Sequence, residues 1–174
     1  MSTLRRILLG VALAALAAAC SGPPPKPCPR LAILGVAADE TRFRDAGRDL
    51  TDIAFEIEVA GVNLICTHTE AGWLVNELTI GFKVERGPAG EGSPGIEYFV
   101  ALIARDDQRV LDKKVFAVTL IVPEGQRRTQ VFDEVLQEVK LPAGREGKDY
   151  TVFVGLQLSP DALAHNRRKR GEEP

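Results

Sequence analysis

The chain has 174 residues, enough for one domain or two small ones. Apolar residues make up 45 % and charged residues 26 %, which excludes a multi-span membrane protein, a disordered tail and a collagen-like repeat. With 22 basic against 24 acidic residues the net charge is −2, so no nucleic-acid partner is expected.

Arg5 and Arg6 precede an uncharged run from Ile7 to Ala19, and its 13 residues fall short of the roughly 20 that a bilayer-spanning helix needs. A positive start, a short apolar middle and small residues before a boundary describe a secretory signal peptide over residues 1–19. The boundary reads Leu16-Ala17-Ala18-Ala19-Cys20-Ser21-Gly22. It resembles the lipobox of bacterial lipoproteins, with Ala17 where that family prefers leucine. The resemblance implies a diacylglyceryl group on the Cys20 sulfur and cleavage before Cys20. Through Ser21 it further implies sorting to the outer membrane, with the protein facing the periplasm. Two or three acyl chains hold a protein firmly where one holds it marginally. An ordinary signal peptide cut after Ala19 and an uncleaved anchor are the alternatives. Loss of residues 1–19 removes two arginines and brings the net charge to −4.

Residues 20–30 are expected to be the lipidated cysteine and a tether, because Ser21 to Arg30 contains five prolines. Repeated proline fixes φ and favours an extended spacer. Once Cys20 carries lipid, two cysteines remain. In an oxidising compartment Cys28 and Cys66, separated by 38 residues, are expected to form a disulfide.

From residue 31 to residue 158 the hydrophobic period is mostly two. Ile53, Phe55, Ile57 and Val59 alternate with polar or small residues, as do Leu78, Ile80, Phe82 and Val84. Phe116, Val118, Leu120 and Val122 form another face, and Tyr150, Val152, Val154, Leu156 and Leu158 a fourth. Shorter strands are expected over Leu31–Val36, Val62–Thr67 and Ile96–Ala104, the last apolar on both faces and hence central in a sheet. Val131–Lys140 reads as strand, although Phe132, Val135, Leu136 and Val139 also fit a helix face. Turn residues fall at Gly87–Gly90, Arg105–Gln108, Pro123–Gly125 and Pro142–Gly144. Many short strands without a long helical pattern predict a single antiparallel, all-β sandwich domain over residues 31–158. Tyr150, nine residues after Leu141 and heading Thr151-Val152-Phe153-Val154, resembles the tyrosine corner of immunoglobulin and fibronectin type III sandwiches. That resemblance implies an immunoglobulin-like fold.

Residues 159–174 are expected to form a short helix and a charged tail. Ser159 is a natural N-cap, Pro160 suits the first turn, and Asp161 suits the positive end of the helix dipole. The helix is expected to end near Asn166, with Arg167, Arg168, Lys169 and Arg170 following as a basic tail that could touch an anionic surface. The whole layout resembles small proteobacterial lipoproteins of no assigned activity.

No catalytic residue, metal site or cofactor is expected. Gly90-Glu91-Gly92-Ser93-Pro94-Gly95 has dinucleotide-site spacing, but a strand follows it where that site needs a helix, so it reads as a hairpin loop. His68 and Glu70 share a strand face without further ligands in view. Asp39 with Glu40, Asp106 with Asp107, and Asp133 with Glu134 fall near expected turns. The functional expectation is a non-enzymatic cell-envelope protein, held to the membrane by lipid on Cys20, that presents its sandwich to a protein partner. The alternatives are a binding module for an envelope polymer or small ligand, and a hydrolase using paired carboxylates.

Overall fold

Side chains that alternate between apolar and polar can satisfy a sheet only if one face is covered, and the eight strands among the described residues solve that requirement by stacking in two layers. A computed structural model describes residues 25–172. The expected signal peptide 1–19, the Cys20 lipidation site and the tether up to residue 24 lie outside the described residues, as do Glu173 and Pro174. The strands are β1 (Arg30–Ile33), β2 (Asp39–Phe43), β3 (Ile53–His68), β4 (Trp73–Arg86), β5 (Gly95–Ala104), β6 (Val110–Thr119), β7 (Arg128–Lys140) and β8 (Tyr150–Leu156). One helix, α1 (Pro160–Arg170), follows them. None of the described helices is long and apolar enough to cross a membrane.

One sheet has the order β1-β8-β5-β6 and the other β2-β3-β4-β7. β5 is central, as its apolar composition predicts. Leu78, Ile80, Phe82 and Val84 of β4 face Ile96, Tyr98, Val100 and Leu102 of β5 and Val152, Val154 and Leu156 of β8 in the shared core. The sandwich is not wholly antiparallel, because β1 runs parallel to β8. The chain leaves β1 through a 3-10 turn at Gly35–Ala37 and crosses to the other sheet, so β1 needs no hairpin return.

The expected short strand Val62–Thr67 is the second half of β3. A bulge between Val59 and Gly61 shifts the register there. The inward set therefore passes from odd residues (Phe55, Ile57, Val59) to even ones (Val62, Leu64, Cys66) without the strand ending. Val131–Lys140 is strand, within β7. Asp133 and Glu134 accordingly sit mid-strand rather than near a turn. β6 stops at Thr119, while Leu120 and Val122 continue its inward alternation as buried loop residues.

Gly90–Gly95 lies in a crossover between sheets, not in a hairpin. Glycine is required where that loop meets β3, since a Cβ on Gly87 or Gly90 would run into the carbonyls of Ile53 and Ala54. Arg86, unremarked in the sequence, binds both crossovers at this end: its guanidinium donates to the carbonyls of Gly92 (2.7 Å), Gln126 (3.2 Å) and Val122 (3.2 Å).

The two open flanks are closed differently. At the β1/β2 flank α1 packs down, and the buried Asn166 amide donates to the carbonyls of Val36 (3.0 Å) and Asp39 (2.6 Å). At the β6/β7 flank polar side chains bridge the sheets. The Tyr98 hydroxyl donates to Asp133 (2.7 Å), and the Gln137 amide donates to Asp112 (2.8 Å) while accepting from Asn76 (3.2 Å). Burial, and then the Asp133 carboxylate, push the Tyr98 phenol far above its ordinary value, so it remains a donor. Tyr150 is buried at the head of β8, yet among the described residues no backbone group accepts from its hydroxyl. Cys28 and Cys66 form the expected disulfide, Cα–Cα 5.7 Å, joining the chain just before β1 to β3.

Candidate functional site

The outer face of β2-β3-β4-β7 carries large apolar side chains that no other element among the described residues covers. Ladder pairing places Ile65 of β3, Glu77 of β4 and Leu136 of β7 in one row. Ile65 is 59 % exposed and Leu136 50 % exposed. Four rows further along β4, Gly61 faces Gly81, which leaves a bare stretch of backbone. Phe132, 63 % exposed, lies over it, its ring where a Cβ on Gly81 would meet Cε1 at 3.1 Å. Val75 and Trp73 extend the strip toward the end where the disulfide lies. Exposed apolar residues scattered singly are ordinary; here Trp73, Val75, Ile65, Leu136 and Phe132 recur on one face of three adjacent strands, with Glu77 and Glu134 set among them.

Carboxylates surround the strip. The outward positions of β3, β4 and β7 hold six glutamates (56, 58, 77, 85, 134 and 138) against Lys83, Arg128 and Lys140. Toward the crossover end the face becomes an open groove of about 830 Å³, with Thr41, Glu56, Glu58, Lys83, Glu85 and Arg128 across its floor. Arg128 holds Glu85 through two hydrogen bonds of 2.7 and 3.0 Å, which lower the Glu85 pKa below its usual value.

The expected basic tail is the last turn of α1, which runs to Arg170 and ends at Gly171 in a left-handed conformation. Helix continues past Asn166 because Asn166 anchors it and Gly171 caps it. The four cations do not form one patch. Lys169 and Arg170 both bind Asp39, at 2.9 and 3.0 Å, while Arg167 and Arg168 are exposed. Burial raises the Asp39 pKa, but the hydrogen bonds and charges of Lys169 and Arg170 outweigh it and hold the carboxyl below 3.8. A depressed carboxylate contributes stability above its unfolded value, and that contribution is lost as pH falls through the folded value. Acidification below pH 3.8 is therefore expected to loosen α1 before the sandwich unfolds. Hydrogen exchange of the last turn of α1 across pH reads this directly. Asp39→Asn should show the loosened helix already at neutral pH, and wild-type protection that stays flat through the acid range would contradict it.

β3 ends at His68, so Glu70 lies in the β3–β4 turn and the two do not share a strand face. His68 Nε2 lies 3.1 Å from the Pro27 carbonyl, so its ring holds the end of the tether. Asp106 and Asp107 shape the β5–β6 turn by accepting from the backbone N–H groups of Asp107 (2.9 Å) and Arg109 (3.1 Å). Among the described residues no three His, Cys, Asp or Glu side chains stand together as a metal site. Asp39, Glu85, Asp106 and Glu146 all have lowered pKa values, which favours the ion-paired form over a protonated general acid.

No protein-family model matches the chain, and no curated protein matches its sequence.

Proposed function

We propose that the protein is an exported lipoprotein, held through lipid on Cys20 at the periplasmic side of the outer membrane, whose sandwich binds a protein partner without catalysing a reaction. The observation that carries this reading is the uncovered strip of Ile65, Phe132 and Leu136 on the outer face of β2-β3-β4-β7. The glutamates around it favour a partner whose apolar contact residues are set among basic ones. The Cys28–Cys66 disulfide supports an oxidising compartment. Two packed sheets of four strands support an immunoglobulin-like reading of the domain, with its own strand order in which β2, β3 and β4 are consecutive neighbours.

A photo-activated cross-linking residue at Leu136 in intact envelopes is expected to join one protein, and the same protein from Ile65. Phe132→Glu should abolish both adducts, and reversing Glu134 and Glu138 to lysine should weaken them. Val115, equally exposed on the other sheet, serves as the control position. Adducts from Val115 as strong as those from Leu136, or none from the strip, would overturn the reading.

A further inference from the structure

Trp73 is the single tryptophan of the chain, and it is 42 % exposed at the first position of β4. It stands at the end of the sandwich where the tether arrives. There Cys28 is bonded to Cys66 and the Pro27 carbonyl meets His68, two positions from the turn that leads into Trp73. Lys140 is its ladder partner on β7. The ammonium lies 5.6 Å from the centre of the indole and also donates to the Ala71 carbonyl. An indole beside a lysine whose long stem can turn its charge outward suits the boundary between headgroups and hydrocarbon.

The charge of this end differs in sign from the rest. Residues 25–30, 69–73, 105–109 and 140–149 contain seven lysines and arginines against five carboxylates, while the remainder of the chain has 15 against 19. Three of those carboxylates are already paired with cations of the same end: Asp106 with Arg145, Asp107 with Arg109, and Glu146 with Lys148. Lys26 and Arg30 are exposed beside them. Five peptide steps separate Cys20 from Pro25, which limits the reach from lipid to domain to roughly 18 Å even at full extension.

We propose that this end of the sandwich rests on the membrane surface, with Trp73 in the headgroup layer and Lys26, Arg30 and Lys140 facing anionic phosphates. The proposal rests on the lipid-anchored reading above and adds an orientation to it: β3, β4 and β7 stand upright, and the apolar strip faces sideways along the membrane. Contacts of this kind are individually too weak to hold a protein alone but suffice to orient one already anchored.

The lone tryptophan is its own probe. Full-length lipidated protein is reconstituted in phosphatidylethanolamine–phosphatidylglycerol vesicles, with and without brominated acyl chains. Bromolipid is expected to remove about half of the Trp73 emission, as for an indole at headgroup depth. Lys26→Glu with Lys140→Glu, both exposed positions, should restore most of it, and phosphatidylcholine vesicles should quench less than anionic ones. Protein that floats with the vesicles while its emission ignores bromolipid would overturn the orientation and leave the anchor standing. Quenching that is indifferent to the charge reversals and to lipid charge would overturn it too, by removing the electrostatic contact. A purified product whose mass lacks the diacylglyceryl group, and which does not float, would overturn the anchored reading itself, and the orientation with it.

Discussion

Phe82→Ala is expected to lower the free energy of unfolding by about 3–5 kcal/mol, while Phe132→Ala changes it by no more than about 0.5 kcal/mol. Both residues are phenylalanines in the same sheet, on adjacent strands and one row apart in the ladder. Phe82 is fully buried and projects into the core. Its ring centre is 5.0 Å from that of Tyr98, which stacks on Phe116 at 5.4 Å. The three rings join β4 to β5 and β6 across the two sheets, so removing Phe82 leaves a cavity between two rigid layers that cannot close around it. Phe132 points to the opposite side of its sheet and gives up little solvent-shielded area. Urea unfolding of the two variants measures the contrast: a lowered midpoint with unchanged slope for Phe82→Ala, and a wild-type midpoint for Phe132→Ala. Equal effects would mean that the phase assigned to β4 and β7, and with it the exposed strip, is wrong.

The same contrast explains what the sequence can and cannot reveal. β4, β5 and β8 are legible because their core residues sit two apart with few exceptions, and each strand has turn residues at its ends. β3 reads as two strands because one bulged residue reverses the phase of alternation, a change that a period of two cannot carry through. β2, Asp39-Glu40-Thr41-Arg42-Phe43, has no apolar alternation at all. It is an edge strand held by its backbone ladder to β3 and by its ion pair with α1. In β7 the helix-like spacing of Phe132, Val135, Leu136 and Val139 arises because two of them face the core and two face outward.

That outward pair is half of the candidate site, and its meaning becomes visible only when the register brings Ile65 beside Leu136 with Glu77 between them. Sequence gives such residues no common signature, since they lie some 70 positions apart. The basic run 167–170 shows how a distant residue divides a local pattern. Four adjacent cations look like one patch until Asp39, 130 positions away, claims Lys169 and Arg170. The inter-sheet hydrogen bond of a buried tyrosine likewise belongs to Tyr98 and Asp133 rather than to Tyr150, whose position in the sequence resembles a tyrosine corner. Local pattern reports which face a residue occupies; it does not report which distant charge or hydroxyl meets it there.

Cys28→Ser with Cys66→Ser, or reduction of the wild-type protein, is expected to cost about 4 kcal/mol, because the bond closes a 38-residue loop in the unfolded chain. For a domain of this size that corresponds to a fall in Tm of roughly 8–16 °C. The effect should act through the unfolded state: opening the loop expands the denatured ensemble, so the slope of the urea transition should rise as its midpoint falls. The loop holds β1, β2 and most of β3, including the crossing from one sheet to the other. These are the elements with the weakest local signal, a four-residue parallel edge strand and a polar five-residue edge strand, so the cross-link supports the part of the fold that its own sequence supports least. Cys28 is exposed, so a mild reductant reaches the bond without prior unfolding. Reduction also frees the anchor point of the tether, leaving the His68–Pro27 hydrogen bond and the four-residue β1–β8 pairing to hold the start of the domain. Reduced protein should therefore exchange the β1 amides faster than the β5 amides while both are still folded, and a Tm unaffected by reduction would show that the cross-link only decorates a chain start already fixed by β1.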